Sequence, residues 1–193
     1  MRSTVLLKAW MQSKDVLGIM LAAAFLLLLP LLAMQLSDEV VWGVADFAVA
    51  WVLLAGAGLT YRLATRKAGS IAYRAAVGVA VATGLTLVWM NLAVGLIGSE
   101  ENPANLMYGG VLAVGIIGAI FARLRPHGMA LALFATALAQ ILVGVIALIA
   151  GLGFALILNA LILNGFFAAL WVGSALLFQR AARTSPTSSR MRT

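Results

Sequence analysis

The chain has 193 residues, of which 64% are hydrophobic and 10% charged, with a mean hydropathy of +1.08 and a formal net charge of +7. A soluble domain carries about 25% charged residues, so this composition excludes an ordinary water-soluble fold. Cysteine is absent and histidine occurs once, which excludes disulfides, iron–sulfur clusters and bis-histidine haem ligation.

Six apolar segments predict transmembrane helices, because each is close to the ~20 residues that cross a bilayer. In chain order they cover residues 16–36, 40–61, 75–97, 106–121, 129–150 and 155–178. Pro30 lies within the first and is expected to kink it. Residues 1–15 precede this domain as a cytoplasmic or interfacial segment, and residues 179–193 form a basic tail expected to be disordered. The predicted fold is all-α, a polytopic membrane bundle of six transmembrane helices.

The charged residues divide between the two sides of these segments. All 13 Lys and Arg residues fall before the first span, after the sixth, or in the loops after the second and fourth. Asp38, Glu39, Glu100 and Glu101 fall in loops on the other side. By the positive-inside rule, both termini are predicted in the cytoplasm. Because the basic residues lie at segment ends and not along one face, we expect the lipid bilayer as partner and not nucleic acid.

The external loop at residues 98–110 contains Asn-Pro-Ala at 102–104, a tripeptide also found in water channels. Ordinary helix-start chemistry explains it here. Asn102 is a favoured N-cap, Pro103 suits the first helical position, and the two preceding glutamates complement the helix dipole. Tyr108 is predicted at interfacial depth. The alternative is a loop that binds a cation or a partner's basic segment through Glu100, Glu101, Asn102 and Asn105.

Two stretches of the chain carry a resemblance. Residues 91–108, NLAVGLIGSEENPANLMY, and residues 133–140, LFATALAQ, resemble a group of small bacterial inner-membrane proteins without an assigned activity. The resemblance covers roughly the third to fifth spans. It implies a multi-pass location in the bacterial inner membrane and carries no catalytic residue.

Polar side chains inside the spans are costly in hydrocarbon, so each needs a partner. The candidates for an intramembrane polar cluster are Asp46, Asn91, Gln140, Asn159 and Asn164. Asp46 is the acid predicted within a span, about 9 Å below the outer end of the second at 1.5 Å per residue. Two interpretations are open: proton or cation binding in a transporter, or interhelical hydrogen bonds that join the helices.

Small residues recur at every fourth position on three spans and predict faces where helices pack backbone to backbone. These residues are Ala76, Ala80 and Gly84 on the third span, Gly118 and Ala122 on the fourth, and Gly165, Ala169 and Gly173 on the sixth. A face not used inside the bundle is predicted to bind a second copy or another membrane protein.

The spans carry no paired carboxylates, no nucleophile with a base and no metal-ligand set, so we expect neither an enzyme nor a cofactor. The predicted function is a non-catalytic accessory or interaction module of the inner membrane. The alternative is a small proton- or cation-coupled transporter or channel that uses Asp46 with Asn91, Gln140 and Asn164.

Overall fold

The computed structural model describes residues 2–36, 41–66, 68–98, 101–149 and 154–184, with the side chains of these residues except 2–13 and 154–160. This described part is helical and has no strand. Its α-helices are α1 Arg2–Leu26, α2 Leu28–Leu36, α3 Val44–Thr65, α4 Ile71–Ala93, α5 Met107–Ala122, α6 Pro126–Ile149 and α7 Phe154–Arg183, with a 3-10 helix at Pro103–Leu106 before α5. The predicted all-α fold is confirmed.

Within the described ranges, six stretches of helix are long and apolar enough to cross a bilayer. They are Lys14–Leu36, Val44–Thr65, Ile71–Ala93, Pro103–Ala122, Pro126–Ile149 and Leu161–Arg183. Each overlaps one predicted span, so the predicted number of candidate spans is confirmed. The predicted disordered tail begins at residue 179, yet α7 continues to Arg183. Residues 185–193 lie outside the described residues.

Local contacts explain why two spans are displaced from their predicted bounds. The second occupies residues 44–65 and not 40–61, and the third occupies residues 71–93 and not 75–97. At the start of α3, Asp46 Oδ2 accepts a hydrogen bond of 2.7 Å from the Gly43 backbone N–H. The hydroxyl of Ser70 caps α4 by accepting from the Tyr73 backbone N–H at 3.2 Å. After α4 the chain turns away at Gly95, which has a φ of 67°.

The chain forms two compact units, Met1–Leu63 and Ala64–Thr193. In the N-terminal unit, α1 gives way to α2 at Leu27, shortly before Pro30. A proline has no N–H to offer the carbonyl one turn earlier, and its ring crowds that carbonyl, so helical hydrogen bonding is interrupted here. The disturbance of the first span is local, because the Leu27 N–H still bonds to the Ala23 carbonyl at 3.3 Å and the Leu31 N–H to the Leu27 carbonyl at 3.4 Å.

Helices α1 and α3 of the N-terminal unit pack closely and share an ion pair. A Cβ placed on Gly58 would lie 2.6 Å from Ile19 Cγ2, so glycine is required for this approach. Arg62 Nη2 lies 2.7 Å from Asp15 Oδ2, and the Asp15 side chain is 65% exposed. An exposed pair of this kind contributes at most about 1 kcal/mol.

Helices α4 to α7 form a bundle in the C-terminal unit. Helix α6 packs against α5 and α7, and α7 packs against α4. Tyr108, Phe167 and Phe178 are almost completely buried inside it. A Cβ placed on Gly118 of α5 would lie only 2.6 Å from Ala132 Cβ of α6. The small-residue face of α5 is therefore used between these two helices.

Tyr73, in the first turn of α4, ties together one end of the C-terminal unit. Its hydroxyl donates a hydrogen bond of 2.8 Å to the Leu124 carbonyl, and its ring meets Phe178 edge-on at 5.1 Å between centroids. Arg123 and Leu124 have φ values of 50° and 57°, a left-handed pair that ends α5 and leads to α6. We call this the Arg-rich end, defined by Arg74, Arg123, Arg125 and Arg180.

Candidate functional site

The described part of the segment between α4 and α5 is folded around one amide side chain, and we call residues 94–98 and 101–106 the Asn105 loop. Asn105 is 5% exposed, and its Oδ1 accepts from the backbone N–H groups of Leu96 at 3.0 Å and Ile97 at 2.9 Å. Leu96 and Ile97 are also buried. A buried backbone N–H that is not in a helix or strand must find its acceptor elsewhere. The Oδ1 atom of Asn105 is the acceptor for both of these N–H groups.

The Asn-Pro-Ala tripeptide in this loop starts a helix. Asn102 Oδ1 accepts a hydrogen bond of 3.0 Å from the Ala104 backbone N–H, and Pro103 stands at the beginning of the 3-10 helix. The predicted N-cap role of Asn102 is confirmed. Gly98 has a φ of 74°, and a Cβ there would lie 3.0 Å from Asn102 Nδ2, so the loop requires glycine at this position.

Asn91, near the end of α4, joins the Asn105 loop to the bundle. Its Nδ2 donates a hydrogen bond of 3.3 Å to the Asn105 backbone carbonyl. Its Oδ1 is buried and has no hydrogen-bond partner among the described residues.

Four side chains from three helices form a connected set that we call the amide network: Tyr108, Gln140, Asn164 and Trp171. Gln140 Nε2 donates to Asn164 Oδ1 at 2.8 Å, and Asn164 Nδ2 donates to the Tyr108 hydroxyl at 3.0 Å. Trp171 Nε1 donates to Gln140 Oε1 at 3.4 Å. Each of the four is at most 4% exposed. The network therefore connects α5, α6 and α7 inside the bundle.

Gly144 makes room for this network. It lies one helical turn after Gln140 on α6, hence on the same helix face. A Cβ at Gly144 would lie 3.1 Å from Asn164 Cβ and 3.3 Å from its Cγ. Even an alanine would press on the Asn164 side chain, so this glycine sets the distance at which the two amides meet.

The chemistry of the amide network is that of neutral hydrogen bonding. It contains two carboxamides, a phenol and an indole, and no carboxylate or amine. Satisfied polar groups in a low-dielectric interior strengthen one another and fix a unique packing. Such a set holds three helices in register, and it has no ordinary proton acceptor for acid–base chemistry near neutral pH.

The structure brings together two members of the predicted polar cluster, Gln140 and Asn164. Asn91 instead bonds to the Asn105 loop. Asp46 is in the first turn of α3 in the N-terminal unit, where its side chain is exposed and bonds to Gly43. The side chain of Asn159 lies outside the described residues. Of the loop acids, Glu101 is exposed, and Glu100 also lies outside the described residues.

The predicted packing faces have different surroundings. On α4, Ala76 is fully buried and its carbonyl accepts a hydrogen bond of 2.7 Å from Ser174 Oγ of α7. Ala80 packs against the same core. A Cβ at Gly84 would meet the Trp171 ring at 3.7 Å, an ordinary contact distance. The α4 face is therefore used inside the bundle, against α7.

The small-residue face of α7 is open within the described part of the chain. A Cβ placed on Gly165 or on Gly173 would meet nothing within 4 Å. Ala169 between them is exposed, and the neighbouring Phe166 is 53% exposed. We call Gly165, Ala169 and Gly173 the open face of α7.

Sequence reasoning missed Tyr108, Trp171 and Ser174 as polar partners. Tyr108, in the first turn of α5, is 1% exposed and its hydroxyl accepts a hydrogen bond from Asn164, while its interfacial depth stays a prediction. A signal was present on α7, because Asn164, Trp171 and Ser174 recur at near-heptad spacing and so share one helix face. Polar and aromatic residues on a single face predict a buried polar seam.

Comparison of the chain with protein-family models, with curated proteins and with solved structures finds no match in any of the three. The functional conclusion therefore depends on the geometry of the described residues.

Proposed function

We propose that the protein is a non-catalytic integral membrane protein that acts by binding another membrane protein through the open face of α7. The observation that carries this proposal is the closed amide network. Gln140 and Asn164, the polar groups best placed to serve a transport route through the bundle, are both buried and bonded to each other. Their role is then to hold α6 and α7 together, which leaves the outer surface of α7 as the part available for recognition.

The open face of α7 suits a partner helix. In hydrocarbon the hydrophobic effect contributes little to helix association, so van der Waals packing between closely approaching backbones stabilises it instead. Gly165 and Gly173 are separated from Ala169 by four positions on either side, and neither glycine is covered within the described residues. Small residues at this spacing allow another helix to approach closely.

A proton- or cation-coupled transporter is the competing proposal. It requires that Asp46 bind the transported ion together with amides of the C-terminal unit. Asp46 accepts a hydrogen bond from its own helix start, which is a structural use of that carboxylate. Proton flux into liposomes decides between the two: unchanged flux in Asp46→Asn relative to wild type ends the transport proposal, and loss of flux supports it.

The proposed location is the bacterial inner membrane, with both termini in the cytoplasm. The six apolar helices support membrane insertion, and the separation of cations from anions along the chain supports the orientation.

Cross-linking in the native membrane tests the proposed face. The chain contains no cysteine, so single-cysteine variants carry no background. Gly165→Cys or Gly173→Cys is expected to give a cross-linked product that co-purifies in mild detergent, and Gly165→Leu or Gly173→Leu is expected to abolish co-purification. Gly110→Leu is the matched control, because a Cβ there also meets nothing within 4 Å. Equal loss in the control, or a strictly monomeric particle without cross-links, would overturn the proposal.

A further inference from the structure

The Arg-rich end has a large positive charge without a compensating acid. Residues 64–193 contain eight arginines and one lysine, whereas their acids are Glu100 and Glu101. Of these two acids the structure describes Glu101, between α4 and α5, which is the other end of these helices from the Arg-rich end. Arg74, Arg123, Arg125 and Arg180 are all exposed. The ion pair described above, between Arg62 and Asp15, belongs to the N-terminal unit. The charge of the Arg-rich end is therefore available to an external anion.

The choice of arginine carries chemical information. Either lysine or arginine satisfies the positive-inside rule. Arginine presents a planar fork of N–H donors that matches the oxygens of a phosphate, while lysine is a strongly hydrated point charge. The N-terminal unit contains two lysines and two arginines, so the strong preference for arginine is a property of the C-terminal unit.

Three of these arginines are next in sequence to two residues that are joined by a hydrogen bond. The Tyr73 hydroxyl holds the Leu124 carbonyl at 2.8 Å. Arg74 follows Tyr73, and Arg123 and Arg125 flank Leu124. This hydrogen bond therefore brings the backbone of Arg74 to the turn that carries Arg123 and Arg125.

The turn itself is rigidly built. Arg123 and Leu124 are both left-handed, with φ values of 50° and 57°, and Gly128 allows α6 to pass close to α5. A Cβ at Gly128 would lie 2.9 Å from Ala122 Cβ and 3.1 Å from Ala122 Cα. Edge-on contact of Tyr73 with Phe178 adds a third anchor from α7. The arginines are thus mounted on a fixed corner of the bundle, which lowers the entropy cost of ordering them around a ligand.

We propose that Arg74, Arg123 and Arg125 form a binding site for the phosphate headgroup of an anionic phospholipid, preferentially one that carries two phosphates. Exposed apolar side chains lie close by in sequence, Ile71 in the first turn of α4 and Phe121 in the last turn of α5, and the acyl chains of a bound lipid can lie against them. Basic clusters between helix ends are known to select such headgroups over zwitterionic ones. This inference does not depend on the proposed partner of α7.

Native mass spectrometry of the full chain in mild detergent tests this site, with cardiolipin as the two-phosphate probe and phosphatidylethanolamine as the zwitterionic reference. The wild-type protein is expected to bind cardiolipin at least about tenfold more tightly than phosphatidylethanolamine. The double variant Arg123→Gln with Arg125→Gln is expected to bind cardiolipin about tenfold more weakly than wild type, because it loses charge-assisted hydrogen bonds to phosphate. The matched control is Arg66→Gln with Arg180→Gln, which removes the same charge and is expected to leave the affinity within about twofold.

Two further variants separate a built site from diffuse charge. Arg123→Lys with Arg125→Lys keeps the charge and is expected to lose most of the preference for cardiolipin, because lysine cannot form the bidentate contact. Tyr73→Phe removes only the hydroxyl that fixes the turn and is expected to weaken cardiolipin binding while the protein remains helical and monodisperse. Wild-type affinity in the lysine variant, equal losses in the control pair, or inorganic pyrophosphate binding as tightly as cardiolipin would each overturn the proposal.

Discussion

Gln140 and Asn164 are 24 residues apart in the chain, and their carboxamides meet at 2.8 Å in the interior of the C-terminal unit. Neither side chain is more than 3% exposed. In hydrocarbon, removal of Asn164 would take away the acceptor of Gln140 Nε2, and removal of Gln140 would take away this donor to Asn164 Oδ1. The pair therefore has a mutual dependence that measurements of stability can detect.

The first prediction concerns this pair. Replacing Gln140 by Met or Asn164 by Leu keeps the approximate volume and leaves the other amide short of a partner. Each single change is expected to lower the free energy of unfolding by about 1–3 kcal/mol. The double variant is expected to lose less than the sum, with a coupling of roughly 0.6–1.7 kcal/mol, as found for interhelical polar pairs in membranes.

Reversible unfolding in mixed micelles measures this cycle. The control cycle pairs Asn164→Leu with Thr136→Val, because the Thr136 hydroxyl bonds within its own helix to the Ala132 carbonyl. That cycle is expected to be additive. Additivity in the Gln140 cycle as well would show that the two amides do not depend on each other.

The second prediction concerns the Asn105 loop. Asn105→Ala removes the acceptor of two buried backbone N–H groups, and each uncompensated group costs about 1–3 kcal/mol. We expect the amide protons of Leu96 and Ile97 to exchange with solvent at least about tenfold faster in hydrogen-exchange mass spectrometry, since about 1.4 kcal/mol corresponds to a factor of ten.

Asn102→Ala is the matched control for this loop. It removes the single cap bond to the Ala104 N–H and is expected to cost about 1 kcal/mol, without faster exchange at Leu96 or Ile97. Similar exchange in both variants would mean that the loop is held by its apolar residues and not by Asn105.

The third prediction compares two glycines of opposite surroundings. At Gly118 a new Cβ would lie 2.6 Å from Ala132 Cβ and 3.2 Å from its Cα, so α5 and α6 must separate. Gly118→Ala is expected to lower the free energy of unfolding by about 1–3 kcal/mol. At Gly165 nothing lies within 4 Å of that position, so Gly165→Ala is expected to be neutral or to raise stability by up to about 1 kcal/mol. The same unfolding measurement checks both, and equal effects would contradict the packing described here.

The fourth prediction concerns orientation. The chain has no native cysteine, so a membrane-impermeant maleimide reports on single introduced thiols. Glu101→Cys is expected to be labelled in intact cells, and Thr184→Cys only after the membrane is opened, because the positive-inside rule places the basic loops in the cytoplasm. The reverse pattern would invert the proposed topology, and labelling of both in intact cells would change the number of membrane crossings.

The helices could be predicted from sequence because apolar length is a strong signal. The exact ends could not, since short polar contacts determine them. α3 starts where Asp46 can accept from Gly43, and α4 starts where Ser70 can accept from Tyr73. In both cases the sequence allowed several starting residues for the helix, because it does not show which backbone N–H the carboxylate or hydroxyl accepts from.

The polar partnerships were harder to predict than the polar residues. Asn91 and Asn164 are both asparagines on predicted spans, yet one bonds to a loop carbonyl and the other to a phenol and a glutamine. Hydropathy places such residues along a helix axis, but the partner depends on rotation of each helix about that axis. Rotation of each helix about its axis likewise decides whether its small-residue face packs inside the bundle or stays open.

The hydrogen bond between Ser174 and the Ala76 carbonyl joins positions 98 residues apart, and it lies on the surface along which α4 and α7 pack. During synthesis at about 5–20 residues per second, α4 is made on the order of 5–20 s before the residues it must pack against. Over that interval Ala76, on the part of this face that packs against α7, lacks its native partner, whereas Gly84 also lies near Leu112 of the earlier helix α5. Because α7 is made last, α4 is the helix that we expect the insertion machinery or a holding chaperone to shield until α7 emerges.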